Sequence, residues 1–226
     1  SRSMLASSTD DAKGISRLDR AKFLFNKLIN SLENDKVGLV VFAGNSSLQL
    51  PITNDFVSAK IYINDLSTSM INEQGTDIGA AIDMALQGFS SDEDVNRAII
   101  LLTDAEDHEE QAVAVADKAR QAGVQVNVIG VGTAKGALIP IGNGSSEFLK
   151  DETGTPVTTR FNADAARKIA ESGSGLLVCD ACHISRNKLH KIVKNPTRNR
   201  GVEHHQQHVA GKSKITVDMP FLSRLF

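Results

Sequence analysis

Two groups of residues in this chain have side chains and spacings suited to chemistry. The first is oxygen-bearing and dispersed. It comprises Ser1 and Ser3, two apart at the start of the sequence, Thr76 after Gly75, and Asp104 just beyond the most apolar run. Taken singly, each has an ordinary role. The serines can be frayed residues, Thr76 can cap a helix, and Asp104 can be the polar end of a strand. The second group is compact: Cys179-Asp180-Ala181-Cys182-His183 has the Cys-x-x-Cys-His spacing of covalent haem attachment. His204, His205, His208 and Met219 would then offer a distal ligand. Cys179, Cys182, His204 and His208 also have the pair spacings of a zinc site, but the 21 residues between the pairs exceed the usual interval.

Positioning the first group requires a framework, and the sequence supplies one by alternation. Residues 37–43 (VGLVVFA), 97–103 (RAIILLT) and 124–131 (VQVNVIGV) are apolar runs rich in Val and Ile, and residues 175–178 begin a fourth. Such runs suit strands buried on both faces of a parallel sheet. Between them the apolar residues recur at helical spacing. Leu18, Ala21, Phe25, Leu28 and Leu32 form one face, with Ser16 and Asp19 as a capping box. Thr53 or Asn54 can cap a helix over 55–66. Residues 77–86, 109–122 and 162–172 read as further helices, the second ending at Gly123. Residues 147–160 read as a β-hairpin turning near Thr153-Gly154. Alternating strand and helix predicts a doubly wound α/β fold with a mainly parallel sheet and helices on both faces. Ligands of such sheets sit beyond the carboxyl ends of the strands.

The 226 residues are 41% hydrophobic and 23% charged, which excludes a chain disordered throughout. Apolar runs of about five residues fall short of the roughly 20 that a membrane span needs, and no signal peptide is visible. The net charge of −2 conceals a break: residues 1–178 carry −8 and residues 179–226 carry +6, with five of the six His and both Cys. The division expected is therefore an α/β domain over 1–178, its first strand truncated, and a basic tail over 179–226, largely disordered or non-native. The tail has only Phe221 and Phe226 as aromatics, so no stacking platform for nucleic acid is expected. Enzyme motifs are lacking. There is no Gly-x-Ser-x-Gly, Walker A or dinucleotide fingerprint, and His108 alone could serve as a base within 1–178.

Six segments in order, SRSMLA, SRLDRAK, GLVVFAG, LQLPITND, QGTDIGAAI and LLTDAEDHEE, resemble the Bat (aerotolerance) branch of the von Willebrand factor A domains. The resemblance covers residues 1 to about 177. It implies a Rossmann-like fold and a metal-ion-dependent adhesion site, in which Ser1 and Ser3 match the two serines, Thr76 the threonine and Asp104 the second aspartate. The first aspartate of that motif would lie two residues before Ser1, so only weak Mg2+ binding is expected of this segment. Hydroxyl and carboxylate oxygens suit a hard divalent cation and disfavour zinc. With few carboxylates around it, the ion could accept one more from a partner protein. The resemblance also implies a non-enzymatic interaction module, held periplasmically by a bacterial inner-membrane parent. The acidic residues among 106–110, after Asp104, read as a solvated helix N-terminus rather than as direct ligands, although Glu106 could also support the site from behind. The branch usually has glycine where Ala105 stands, so a slightly different loop is expected there. A redox or metal-binding role through the Cys-x-x-Cys-His tail is the alternative.

Overall fold

Unbroken apolar runs give the strands over residues 37–42, 98–103 and 124–130 two buried faces, and helices cover both. The computed structural model describes residues 2–11, 14–67, 70, 75–89, 96–106, 109–142, 147–179 and 213–219. In chain order these form a short 3-10 turn (Arg2–Leu5), α1 (Arg17–Ile29), β1 (Lys36–Phe42), β2 (Ser46–Thr53), α2 (Phe56–Asp65), α3 (Ile78–Gln87), β3 (Asn96–Thr103), α4 (Glu109–Gln121), β4 (Val124–Gly130), β5 (Ala137–Leu138), β6 (Thr158–Thr159), α5 (Ala163–Ser172), β7 (Ser174–Cys179) and β8 (Ser213–Met219). The main sheet runs β2-β1-β8-β3-β4-β7. Val37, Leu39 and Val41 of β1 share one core with Ile100 and Leu102 of β3, Ile129 of β4 and the buried faces of α1 and α2. The intervening Val40, Phe42, Ile99, Leu101, Val126 and Val128 pack with α3, α4 and α5 on the other side. The period of two along each strand thus divides its residues between two helical layers.

Helix ends follow local rules. The Ser16 side chain accepts from the Asp19 N–H, one half of the expected capping box, and its Oγ donates to the Asp19 carboxylate at 2.7 Å in place of the usual reciprocal bond from the cap N–H. Asn162 caps α5, and Gly123 follows α4 with φ +73°. The cap of α2 differs from expectation. Asp55, not Thr53 or Asn54, accepts from the N–H groups of Val57 and Ser58, at 3.1 and 3.0 Å. Thr53 instead accepts from the Asp55 N–H.

The sequence reading assigns no strand to residues 46–53, yet β2 pairs antiparallel with β1 along this stretch. Pro51 is tolerated because β2 is an edge strand and its pairing is irregular near that residue. The hairpin over 147–160 forms as expected. Lys150 bridges Pro156, and Gly154 turns with φ +83°. The hairpin also gains a third segment, since Ala137–Leu138 pairs with Thr158–Thr159.

The tail departs further from expectation. Ser213–Met219 is β8, a central strand: residues 214–219 pair in parallel with 36–41, and residues 213–218 with 96–101. Ile215, Thr216 and Val217 have strong strand propensity. An empty place between β1 and β3 would leave two rows of backbone N–H and C=O groups without partners. Charge and composition mark the boundary at residue 178, whereas the sheet draws in this later segment. Residues 180–212 and 220–226, where the rest of the tail expectation falls, lie outside the described residues.

Candidate functional site

The carboxyl-terminal edge of the sheet gathers most of the oxygen-bearing residues. Asp104 directly follows β3 and is almost fully buried, as is Ser3. Ser3 lies in the Arg2–Leu5 3-10 turn, not in the remnant of a first strand expected at the start of the domain. That turn nevertheless brings the Ser3 hydroxyl to the carboxylate, where it donates to Asp104 Oδ2 at 3.0 Å. Ser1 falls outside the described residues.

Thr76 reaches the same edge by another route. The Asp77 N–H donates to the Ala43 carbonyl just beyond β1, at 3.1 Å. Gly75 adopts φ +136° against Gly44, and a Cβ there would come within 3.1 Å of the Gly44 Cα. The segment opening α3 is thereby held at the carboxyl end of β1, with β8 between it and β3. Thr76 is not the helix cap. Asp77 is, its Oδ1 accepting from the Ala80 N–H at 2.7 Å. Thr76 stands one residue before that cap, half-buried.

The largest feature of the site is a buried ion pair that the sequence pattern does not single out. Arg17, the first residue of α1, is fully buried. Its Nη1 donates to Asp104 Oδ2 at 2.9 Å and to Thr159 Oγ1 at 2.9 Å, and its Nη2 donates to the Thr159 carbonyl at 3.1 Å. Burial pulls the guanidinium below its ordinary pKa, and the adjacent Asp104 charge opposes that shift. Thr159 Oγ1 in turn donates to Glu106 Oε2 at 2.6 Å, and the Arg160 N–H donates to the other Glu106 oxygen. Glu106 therefore supports the site from behind, through the hairpin. A signal for Arg17 existed: it lies four residues before Ala21, on the apolar stripe of α1, where a charged residue needs a buried partner.

Two backbone features make room for this network. Ala105 adopts φ +54°, where glycine is favoured, while its N–H donates to Thr103 Oγ1. Gly132 adopts φ +113°, and a Cβ there would lie 2.8–3.1 Å from the Arg17 guanidinium. Gly132→Ala should therefore both strain the backbone and crowd Arg17. We expect a loss of roughly 1–3 kcal/mol in chemical unfolding. A loss within a few tenths of a kcal/mol would show that the loop yields freely.

The donor set, a carboxylate with hydroxyls, fits an oxygen-ligated divalent cation. Among the described residues no group of three or more His, Cys, Asp and Glu side chains could hold a metal. In the tail, Cys179 closes β7, whereas Cys182, His183, His204, His205 and His208 lie outside the described residues. Met219 ends β8, three strand positions from β7, or roughly 14 Å at the usual strand spacing.

The sequence model of the von Willebrand factor type A domain matches residues 1–106. A structure described as an aerotolerance-related membrane protein from Bacteroides fragilis, carrying multiple mutations to serine, is 43% identical. The similarity covers 87% of this chain and 94% of that one, with a TM-score of 0.77. The structure of a conserved hypothetical protein, BatB, from Bacteroides thetaiotaomicron is 42% identical over 86% of this chain and 95% of that one, also with a TM-score of 0.77. An uncharacterised protein of Borreliella burgdorferi is 33% identical over 126 residues, 53% of this chain, and the match spans 35% of that relative's length. Identity above 40% across nearly the whole of two solved chains, together with the family match, places this chain in the von Willebrand factor type A domain family, in its Bat branch.

Proposed function

We propose that the carboxyl-terminal edge of the sheet is a protein-interaction site that works through a divalent cation, Mg2+ being the natural choice. Asp104 would supply the carboxylate, with Ser3, Thr76 and Ser1 as hydroxyl ligands, and a carboxylate of the partner protein would complete the ion's shell. The observation that carries this reading is the Ser3–Asp104 contact, which joins residues 101 apart in sequence at the edge where such sheets bind ligands. On this reading the domain acts by binding rather than by catalysis, and the pairing of the Asp104 carboxylate with the Arg17 guanidinium supports it, because a paired carboxylate is a poor general base. The membrane association named for the Bacteroides fragilis relative supports a membrane-anchored parent; a periplasmic placement of this domain is part of the proposal. Among the described residues no helix is long and apolar enough to cross a membrane.

Calorimetric titration with Mg2+ tests the reading. The chain should bind weakly, Ser3→Ala should bind more weakly still, and Asp104→Asn should abolish binding. Equal affinity in all three proteins would remove the site.

A further inference from the structure

We propose that Arg17 is a resident counter-cation of Asp104, a positioning residue that keeps divalent-cation affinity low. The inference rests on reading this edge as a divalent-cation site and adds a regulator to it.

Three observations carry it. First, the guanidinium and the incoming ion would share one carboxylate, because Arg17 Nη1 already donates to Asp104 Oδ2 at 2.9 Å, the oxygen that also accepts from Ser3. Second, the guanidinium is held in place. It is fully buried, two further bonds tie it to Thr159, and Gly132 closes over its face. An exposed arginine could swing into water when a metal arrives, but this one has no such path. Third, its charge is spread over two acids, directly onto Asp104 and through the Thr159 hydroxyl onto Glu106.

A second cation near a fixed first one is opposed by direct repulsion, and the low effective dielectric of a buried site strengthens that repulsion. Asp104, Glu106 and Arg17 together carry one net negative charge. Without Arg17 they would carry two.

The expected result follows from that charge count. Arg17→Gln and Arg17→Met should raise Mg2+ affinity by about tenfold or more in calorimetry. Arg17→Lys keeps the charge and should stay within about threefold of the parent protein. A residue that merely held the fold together would lower affinity when removed, so the direction of change separates the two roles. Unchanged or weakened affinity in folded Arg17→Gln would overturn the proposal. If Asp104→Asn loses binding while Arg17→Gln gains none, only this inference fails. If none of the proteins distinguishes Mg2+, the cation site fails with it. A measurement on the unaltered chain guards against variants that do not fold. The Arg17 guanidinium protons should exchange slowly in NMR spectra and stay protected at saturating Mg2+. Loss of protection would show the ion displacing Arg17 and would also overturn the proposal.

Discussion

Asp104→Ala should destabilise the domain by about 3–5 kcal/mol, whether or not a metal is present. The substitution leaves the Arg17 guanidinium buried without its only direct counter-charge among the described residues. Thr159 still offers a hydroxyl and a carbonyl, but neither carries charge. The hydrogen bond from the Ser3 hydroxyl to this carboxylate is lost in the same step. The backbone contact from the Asn162 N–H to the Asp104 carbonyl, at 2.9 Å, survives, so the effect belongs to the side chain. Urea unfolding of Asp104→Ala, Arg17→Met and the double variant Arg17→Met/Asp104→Leu checks this. Each single change should cost several kcal/mol, and the double change much less than their sum, because no uncompensated charge remains buried. A cost below about 1 kcal/mol for Asp104→Ala, the range of exposed ion pairs, would show that Arg17 finds another counter-charge. Loss of metal binding in this variant must accordingly be read against its stability, so Asp104→Asn is the better probe of ligation.

Leu101→Ala should cost about 2–5 kcal/mol. Leu101 is completely buried in the core that β3 shares with α3, α4 and α5. Its strand is hydrogen-bonded on both sides, to β4 and to β8, so the backbone cannot close the resulting cavity. For a domain of this size, each kcal/mol lowers the melting temperature by about 2–4 °C. Val57→Ala is the matched control. Val57 lies on α2 with 70% of its surface exposed, and its loss should fall within about half a kcal/mol. Similar melting temperatures for the two variants would contradict the placement of Leu101.

Much of the framework could be read from the residues alone because it depends on local pattern. The unbroken apolar runs around Val41, Ile99, Leu101 and Val128 reflect strands buried on both faces, and all four are buried. Period 3.6 in α1 and the Ser16 cap with its bond to Asp19 depend on residues a few positions apart. The motif order around Ser3, Thr76 and Asp104 was enough to suggest the family. The tertiary structure decided whatever depends on distant partners. Arg17 meets Asp104 across 87 residues and Thr159 across 142, distances over which no periodicity speaks. The same holds for β8, since the strand that completes the middle of a parallel sheet is chosen by the backbone groups on either side, not by its place in the chain. The sequence offered Thr76 as the cap of α3, and Asp77 takes that place for a related reason. Both residue types can cap, and the hydrogen bond from the Asp77 N–H to the end of β1 set where the helix begins.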